Sequence, residues 1–330
     1  MSPIARAALT EFLSFLKTSR YEFTTPTPCT HQRVLVHRSG QHATSLRGIF
    51  GWNMPFSPAQ AGLEIPAEMV ARLRAADLVR DGDHGVQAAV RVSSLAGDLF
   101  AHSAFPTVQD NAVFFGPDTY RFARFIRHAL ALPLQRTHQT GKPLRVLDVG
   151  CGSGAGGIAV ARALQQSGGT HPLEVTMNDI NPQALDYTAV NAAFAGVPVA
   201  LVCADAFAGV KGFFDVIVSN PPYLDDPAQR AYRHGGAGLG RALSVRIASE
   251  ALPRLAPGGR LLLYTGVAVD AGVDPFLADM LPALTQSGCE WSYSEIDPDV
   301  FGEELEQPAY QHVDRIAAVG LIATSPMVAP

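Results

Sequence analysis

Cysteine is scarce in this sequence, and its spacing excludes two of its common uses. Four cysteines occur in 330 residues, at positions 29, 151, 203 and 289, and none forms a Cys-x-x-Cys pair with another. Neither a disulfide framework nor a cysteine zinc site is therefore expected. The ten histidines are irregularly spaced, so no metal site is predicted from them either.

Long hydrophobic runs are also absent. The longest apolar stretch, 260–269, is too short to cross a bilayer and is typical of one buried strand. The first residues carry no secretory signal pattern. These absences predict a protein that has no contact with a membrane and stays in the cytoplasm.

Charge is sparse and slightly negative. Charged residues make up 17% of the chain. It has 25 lysines and arginines and 30 aspartates and glutamates, which gives a net charge of -5. A dedicated duplex-DNA binder is usually more basic. Hydrophobic residues reach 47%, and the length suffices for two domains with cores of their own, so composition favours a globular enzyme.

The most informative segment that is present follows the apolar run 214–219 and reads Asn220-Pro221-Pro222-Tyr223. An amide or aromatic amino nitrogen is a poor nucleophile because its lone pair is delocalised. An Asn side-chain oxygen and a neighbouring backbone carbonyl can accept hydrogen bonds from such an NH2 group and orient it. Two prolines stiffen the turn, and a Tyr ring can stack on a planar group. The structural alternative is a Pro-rich turn that merely ends a strand.

A glycine-rich segment follows an earlier apolar run. It reads Asp148-Val149-Gly150-Cys151-Gly152-Ser153-Gly154. The pattern indicates a strand, a tight loop and a helix, in which glycines let the backbone approach a ligand and the helix presents free N–H groups. Glycine spacing alone fits a dinucleotide loop equally well, so it leaves a nicotinamide cofactor open.

Together these two segments resemble the class I methyltransferases that use S-adenosylmethionine, in particular the branch that carries an Asn-Pro-Pro-Tyr motif. That branch includes glutamine N5-methyltransferases, which act on peptide chain release factors and ribosomal protein, and N6-adenine methyltransferases. The stretch 233–241 resembles a Gly-Gly-x-x-Gly-Leu segment of the glutamine enzymes and favours them; its structural alternative is a flexible lid. The resemblance covers roughly residues 110 to 325.

The resemblance implies S-adenosylmethionine as the cofactor and a set of residues that contact it. In chain order these are Thr119, Asp148, Gly150, Cys151, Gly152, Ser153, Gly154, Asp179, Ile180, Asp205, Ala206, Phe207 and Asn220. Asp179 would hold the ribose hydroxyls, and Asp205 with a following aromatic would flank the adenine. Release-factor enzymes have an aromatic where this chain has Ala206, so stacking on the adenine would depend on Phe207.

The segment before the glycine loop has two interpretations. Residues 115–120 resemble the Pro-Asp/Glu-Thr segment of the glutamine enzymes, which implies that Thr119 lies near the amino acid end of the cofactor. The residues themselves indicate a helix start, with Asp118 or Thr119 as the N-cap.

Strand-like and helix-like segments alternate beyond residue 121. Strands are predicted near 144–149, 173–178, 198–203, 214–219, 259–265, 290–296 and 313–323, the last two as an antiparallel hairpin. The fold class is therefore α/β, a Rossmann-like seven-stranded methyltransferase sheet with a smaller N-terminal α+β domain. Ligands of such sheets bind at the carboxyl ends of the strands, where Asp148, Asp179, Asp205 and Asn220 are expected to meet.

Two domains are predicted, with a boundary near residue 110. Residues 1–110 form an N-terminal domain, a candidate for substrate recognition, and residues 111–330 form the methyltransferase domain. Helices are expected near 5–17 and 66–79 and strands near 85–92 and 98–102, which fits a winged-helix-like unit. The resembled enzymes have a smaller, helical N-terminal domain that recognises their protein substrate.

The predicted reaction is in-line methyl transfer from S-adenosylmethionine to a planar nitrogen. Asn220 and the Pro221 carbonyl would orient the NH2 group, and Pro222 and Tyr223 would pack against its plane. The favoured acceptor, and so the favoured partner, is a glutamine side chain of a translation protein. A base in RNA or DNA is the alternative, because a cluster of basic residues follows the turn: Arg230, Arg233, His234, Arg241 and Arg246. A non-catalytic binding module is a further alternative, and the sequence does not indicate the oligomeric state.

Overall fold

The computed structural model describes residues 1–59, 65–131, 134, 142–166 and 172–327. The described helices are α1 (Pro3–Thr18), α2 (Pro28–His37), α3 (Leu46–Phe50), α4 (Ala67–Ala75), α5 (Pro117–Ala129), α6 (Ala155–Gln166), α7 (Pro182–Phe194), α8 (Ala242–Ala251) and α9 (Pro275–Ser287). The described strands are β1 (Val79–Gly82), β2 (Gly85–Ala88), β3 (Val90–Leu95), β4 (Asp98–Ser103), β5 (Leu144–Val149), β6 (Leu173–Asp179), β7 (Val199–Cys203), β8 (Phe214–Ser219), β9 (Leu255–Val269), β10 (Glu290–Asp297) and β11 (Arg315–Thr324). Short 3-10 turns occur at Leu252–Arg254, Gly302–Glu306 and Pro308–Tyr310.

A seven-stranded sheet in the order β10-β11-β9-β8-β5-β6-β7 forms the centre of the fold. Strands β5 to β9 pair in parallel, whereas β11 is antiparallel to both β9 and β10. The predicted fold class is confirmed, as is the antiparallel pairing of the last two strands. Six predicted strands agree with the structure to within two residues, whereas β9 extends over 255–269 rather than 259–265.

Strands β5, β8, β9 and β11 are buried on both faces, which explains their near-continuous apolar runs, whereas the edge strands β7 and β10 are largely exposed. Alternate residues of β8 enter different core clusters: Val218 packs with the α5 and α6 side, and Ile217 with the α8 and α9 side. Helix α5 contributes Phe122, Phe125 and Ile126 at helical spacing. Burial of each large apolar side chain of this kind contributes about 1.5–3 kcal/mol.

The N-terminal region builds a core of its own that includes part of helix α7. Its two antiparallel pairs are β1 with β2 and β3 with β4. The side chains of Tyr187 and Val190, from α7, lie in the same cluster as Phe12 and Phe50. Helix α7 therefore packs against both the sheet and the N-terminal region.

Two expectations for this region were wrong. The strand predicted over 85–92 is interrupted at Ala89, whose N–H donates to the Leu78 carbonyl (2.9 Å) instead of continuing a ladder. The helix predicted over 66–79 ends at Ala75, and the chain then enters β1. Short elements of this kind take their boundaries from tertiary contacts, which periodicity does not show.

Among the described residues, no helix combines the length and the apolar character that crossing a bilayer would require.

Candidate active site

A cavity of about 500 Å³ opens at the carboxyl ends of the central strands. The strand order explains why the cavity forms at this edge of the sheet. The chain runs outward from β5 to β6 and β7 on one side and returns through β8 and β9 on the other, which leaves a crevice between the two halves. Eleven of the predicted site residues line this cavity: Thr119, Gly150, Gly152, Asp179, Ile180, Asp205, Ala206, Asn220, Pro221, Pro222 and Tyr223. Five lie outside the lining: Asp148, Cys151, Ser153, Gly154 and Phe207.

The glycine loop leaves open space above it. The φ angles of Gly150 (69°) and Gly152 (55°) are left-handed, a conformation that glycine adopts without a steric penalty. An added Cβ at either position would have no neighbour within 4 Å. The N–H groups of Gly150 and Cys151 both donate to the Asn178 carbonyl (2.9 Å each), so β6 holds the loop in place.

Asp148 supports the loop from below instead of lining the cavity. Its side chain is buried, and its Oδ2 accepts a hydrogen bond from the Gly157 N–H (2.7 Å) in the first turn of α6. An added Cβ at Gly156 would lie 2.8 Å from this carboxylate, so the glycine makes the contact possible. Burial, with the nearby Asp179 carboxylate adding to it, raises the pKa of Asp148 to about 7.

Asp179, at the end of β6, joins the glycine loop to the next turn at the cavity wall. Its Oδ2 accepts from the Gly152 N–H and its Oδ1 from the Asn181 N–H, each at 2.9 Å. Burial raises the pKa of Asp179, and the backbone donors oppose that shift. The neighbouring Ile180 is 60% exposed and lines the cavity, which presents an apolar surface beside the acid.

Asp205 lies on the rim, where Arg246 of α8 binds it. Both guanidinium Nη atoms donate to its carboxylate, at 2.6 and 2.9 Å, and this pairing lowers the pKa of Asp205. Ala206 lines the cavity, but Phe207 is buried in the core, with the Arg254 guanidinium 5.0 Å from its ring centre. The aromatic ring that was expected to stack on the adenine therefore does not reach the cavity in this structure.

The turn Asn220–Tyr223 lines the cavity directly beyond β8. The Ser219 hydroxyl donates to the Val149 carbonyl (2.8 Å), which fixes the base of the turn to β5. Across the described parts of the chain, no protein group forms a hydrogen bond with the Asn220 side chain or with the Pro221 carbonyl. Both groups are therefore free to bind a ligand.

Tyr223, the last residue of this turn, is almost fully buried although its ring borders the cavity. Its hydroxyl donates to the Asp118 carboxylate, and its ring contacts the Phe301 ring edge-on with centres 5.8 Å apart. An added Cβ at Gly266 would overlap the Tyr223 ring, so the glycine in β9 gives the ring its place.

The segment before the loop begins a helix earlier than predicted. Gly116, and not Asp118 or Thr119, is the N-cap of α5. The Gly116 N–H donates to the Thr119 Oγ1 (3.3 Å), and Thr119 also borders the cavity. The N-cap prediction was wrong because Pro117 fits the first helical position and moves the start of the helix upstream.

The glycine-rich stretch after the turn packs tightly against it. The Leu224 N–H donates to the Arg233 carbonyl (3.1 Å), and the Gly235 N–H donates to the Leu224 carbonyl (2.9 Å). An added Cβ at Gly235 would overlap the Gly240 carbonyl, and one at Gly240 would overlap the Tyr223 carbonyl. These glycines permit close backbone packing behind the turn.

The arginines that follow the turn are bound within the chain. Arg230 pairs with the buried Asp226, Arg233 with the buried Glu304, and Arg241 with Asp279. Arg246 pairs with Asp205, as described above. Each of these four guanidinium groups therefore has an acidic partner within the chain.

The sequence did not indicate the wall of the cavity that the first 114 residues supply. That wall consists of Pro28, Cys29, Gln32, Phe105, Pro106, Thr107, Val108, Ala112, Val113 and Phe114. Tyr232, from the loop beyond the turn, closes this side: its hydroxyl donates to the Thr107 carbonyl (2.5 Å), and its ring stacks 6.3 Å from that of Phe114. The aromatic residues of these segments were the only sequence signal that could have predicted a cavity wall, since none of the segments carries reactive groups at the spacing of a known motif.

No group of His, Cys, Asp or Glu side chains suited to a metal ion occurs in the ranges that the structure describes.

Comparison with known proteins finds methyltransferases. Residues 129–271 match the family described as methyltransferase small domain. Over 188 residues the chain is 38% identical to the release factor glutamine methyltransferase of Deinococcus radiodurans, a match that covers 53% of this chain and 60% of the relative. Over 128 residues it is 33% identical to ribosomal RNA small subunit methyltransferase C of Shigella flexneri, covering 37% of this chain and 35% of that protein. The chain thus spans less than two thirds of the length of each relative.

Among solved structures, the tRNA m1G37 methyltransferase of M. jannaschii is similar with a TM-score of 0.46 and 13% identity, over 72% of this chain and 57% of that one. The strand order and the cavity at the carboxyl ends of the strands agree with the predicted Rossmann-like methyltransferase sheet, and the match to the methyltransferase small domain is confined to residues 129–271.

Proposed function

We propose that the protein transfers a methyl group from S-adenosylmethionine to a planar amide nitrogen, and that the acceptor is a glutamine side chain of a translation protein such as a peptide chain release factor. The observation that carries this proposal is that two neighbouring hydrogen-bond acceptors have no partner among the described protein groups. Asn220 and Pro221 both line the cavity, and no described protein group forms a hydrogen bond with the Asn220 side chain or with the Pro221 carbonyl.

These two acceptors suit a primary amide. A glutamine NH2 group has two N–H donors, so Asn220 can accept one and the Pro221 carbonyl the other. Held in this way, the nitrogen would be oriented for attack on the methyl group that bound S-adenosylmethionine would supply. The nitrogen would form a bond to the methyl carbon as the carbon–sulfur bond broke, sulfur would keep that electron pair, and one N–H proton would pass to water. No strong base is needed, because the nitrogen becomes acidic as the methyl arrives.

The proposed cofactor contacts follow from the lining of the cavity. Asp179 keeps acceptor capacity beyond its two backbone donors, which suits the ribose hydroxyls. Ile180 and Ala206 offer apolar surface for the adenine, with Asp205 at its edge, while Gly150, Gly152 and Thr119 border the remainder. Asp148, Cys151, Ser153, Gly154 and Phe207 support these contacts from behind the wall.

A protein acceptor is supported by the electrostatics of the rim and by the match to a release factor methyltransferase. The arginines nearest the turn are paired with carboxylates, and the chain as a whole has a net charge of -5. In this proposal residues 1–110 form a domain that helps to select the acceptor, since α2 and the 105–108 segment build the far wall of the cavity. Methylation of a base is the second candidate, because the similarity also extends to a ribosomal RNA methyltransferase.

The test is incubation of the protein with labelled S-adenosylmethionine and a cell extract, followed by separate digestion with protease and with ribonuclease. Label that is released by protease, and that mass spectrometry locates on a glutamine, is the expected result; label in RNA would overturn the choice of acceptor. Asn220→Ala should lower turnover by about a hundredfold, as the loss of a preorganised polar contact does. Calorimetry with the cofactor is the control, since binding should stay close to that of the wild type. Full methylation by this variant would contradict the mechanism.

A further inference from the structure

We infer that Asp118 is a positioning residue that fixes the ring of Tyr223 and, through it, the turn that carries Asn220. Asp118 belongs to α5, whereas the turn follows β8, so the two are 105 residues apart in sequence. The contacts are properties of the fold itself, and only their catalytic consequence rests on the proposed function.

The Asp118 carboxylate accepts hydrogen bonds from three side chains. Its Oδ2 accepts from the Tyr223 hydroxyl, while its Oδ1 accepts from the Tyr264 hydroxyl (2.7 Å) and from the Arg121 guanidinium (3.2 Å). The residue is only 6% exposed. Burying a carboxylate this deeply costs free energy of folding unless the group is paired and hydrogen-bonded. Loss of any of these donors therefore destabilises the folded state.

The protons in this cluster remain on the tyrosines. Burial raises the pKa of Tyr223 and of Tyr264, and the nearby Asp118 carboxylate raises both further. Both phenols are therefore donors at neutral pH. The Tyr223 hydroxyl is engaged with Asp118 and is not available to an acceptor substrate or as a base.

The ring of Tyr223 is held from other sides as well. Phe301 touches it edge-on, and Gly266 leaves the space that it fills. Because Pro221 and Pro222 have nearly fixed φ angles, the turn moves as a stiff unit between β8 and Tyr223. Fixing the Tyr223 side chain thus restricts the position of the Asn220 amide, three residues away.

Tyr264 offers a matched control. Tyr223→Phe and Tyr264→Phe each remove one phenolic hydroxyl that donates to Asp118, but only Tyr223 belongs to the turn. A purely structural role of the cluster would affect the two variants alike. A positioning role would separate them.

The experiment compares amide hydrogen exchange in peptides that cover residues 219–226, in the wild type, Tyr223→Phe, Tyr264→Phe and Asp118→Asn. We expect exchange at least about tenfold faster in Tyr223→Phe and Asp118→Asn and close to wild type in Tyr264→Phe, because local opening follows the loss of the contacts that hold the segment. Equal exchange in the two Phe variants, or unchanged exchange in Tyr223→Phe, would overturn the inference. Melting temperatures identify any variant that has lost its global fold.

Methyl transfer supplies the catalytic readout with the acceptor fraction that the wild type labels. Tyr223→Phe should lower kcat by about ten- to a hundredfold, as misplacement by a fraction of an ångström can, while the dissociation constant of the cofactor changes by less than about twofold. An equal loss in Tyr264→Phe would contradict positioning. If the wild type methylates nothing, the proposed function fails, whereas the exchange result still decides whether Asp118 fixes the turn.

Discussion

Single carboxylates differ in their roles at this site although they follow similar strands. Asp148 and Asp179 both come at or near the end of a strand, and both accept hydrogen bonds from the glycine segment or the helix after it. Only Asp179 lines the cavity. Position behind or beside the loop, and not residue type, separates the carboxylate that supports the loop from the one that borders the cavity.

The first prediction concerns the affinity for S-adenosylmethionine. Asp179→Ala should weaken binding by about ten- to a hundredfold, because hydrogen bonds to a charged group are worth roughly 1.5–3 kcal/mol. Calorimetry measures the dissociation constant. Asp179→Asn is the matched control, since it keeps one carbonyl oxygen for the Gly152 N–H and should fall between the wild type and the Ala variant. Wild-type affinity in Asp179→Ala would exclude this residue from the cofactor site.

The second prediction concerns the pH dependence of stability. The pKa of Asp148 is raised from its usual value near 3.8 to about 7 in the folded protein. Between these two values the unfolded state has lost a proton that the folded state retains, so the contribution of Asp148 to stability falls as the pH rises through this window. Asp148→Asn cannot ionise, yet its amide oxygen can still accept from Gly157. The variant should therefore gain stability relative to the wild type between pH 5 and pH 8, by on the order of 1 kcal/mol or more.

Urea unfolding at the two pH values measures this difference. A difference between variant and wild type that does not change with pH would contradict the assignment. Asp179, whose pKa is also raised, remains in both proteins; because the two carboxylates repel each other, relief of this repulsion in Asp148→Asn is part of the expected gain.

At the scale of elements, the glycine stretch after the Asn220–Tyr223 turn shows how backbone packing limits the residue types that a segment outside the cavity can carry. Gly240 has a φ of 88°, and an added Cβ there would overlap the Tyr223 carbonyl. Gly238 has a φ of 66°, but an added Cβ would meet only the flexible Arg241 side chain. Both positions carry the same conformational penalty, and only one also carries a backbone overlap.

The third prediction uses this pair. Gly238→Ala should cost about 1 kcal/mol of unfolding free energy, the usual penalty of a left-handed non-glycine residue. Gly240→Ala should cost at least about 1 kcal/mol more, because the turn has to shift, and it should also lower methyl transfer. Denaturant titrations and labelling assays measure these effects. Equal stability and activity of the two variants would show that the stretch does not hold the turn.

The sequence predicted some elements far better than others. Strands β5, β6 and β8 are long apolar runs that end in Gly, Asp or Asn, so their existence and their order along the chain could be recognised locally. The break at Ala89 between β2 and β3 depends on a hydrogen bond to Leu78 across the fold, which no local pattern contains. The same reason explains α2 and α3, which were not predicted.

The candidate site also contains features that the sequence predicted and features that it did not. The positions of Asn220 and Asp179 at the cavity could be predicted because each directly follows or ends an apolar strand in a recognisable motif. The placement of Phe207 in the core, the link between Asp118 and Tyr223, and the contact of Tyr232 with Thr107 all join segments that are distant in sequence or depend on which way a side chain points. Such relations follow from packing, and a single sequence does not record them.

At the scale of the whole molecule, one helix links the N-terminal region to the glycine loop. Asn191 of α7 is fully buried. Its Oδ1 accepts from the Ala101 N–H (2.9 Å), and its Nδ2 donates to the carbonyls of Ala101 (3.0 Å) and Ser153 (2.9 Å). The Asn191 side chain therefore forms hydrogen bonds with backbone groups of both β4, in the N-terminal region, and the glycine loop.

The fourth prediction follows from this connection. Asn191→Ala should lower the free energy of unfolding by about 2–5 kcal/mol, because the Ala101 N–H and two carbonyls lose their buried partner. The cofactor should also bind more weakly, since the Ser153 carbonyl is part of the loop that Asp179 joins. Asn181→Ala removes a half-buried N-cap amide from the start of the same helix and is expected to cost about 1 kcal/mol; because Asn181 also lines the cavity, it is the control for the stability measurement only. Urea unfolding and calorimetry give both quantities. If Asn191→Ala lost stability but bound the cofactor as the wild type does, the connection would be structural only, and the N-terminal region would influence the site through the cavity wall alone.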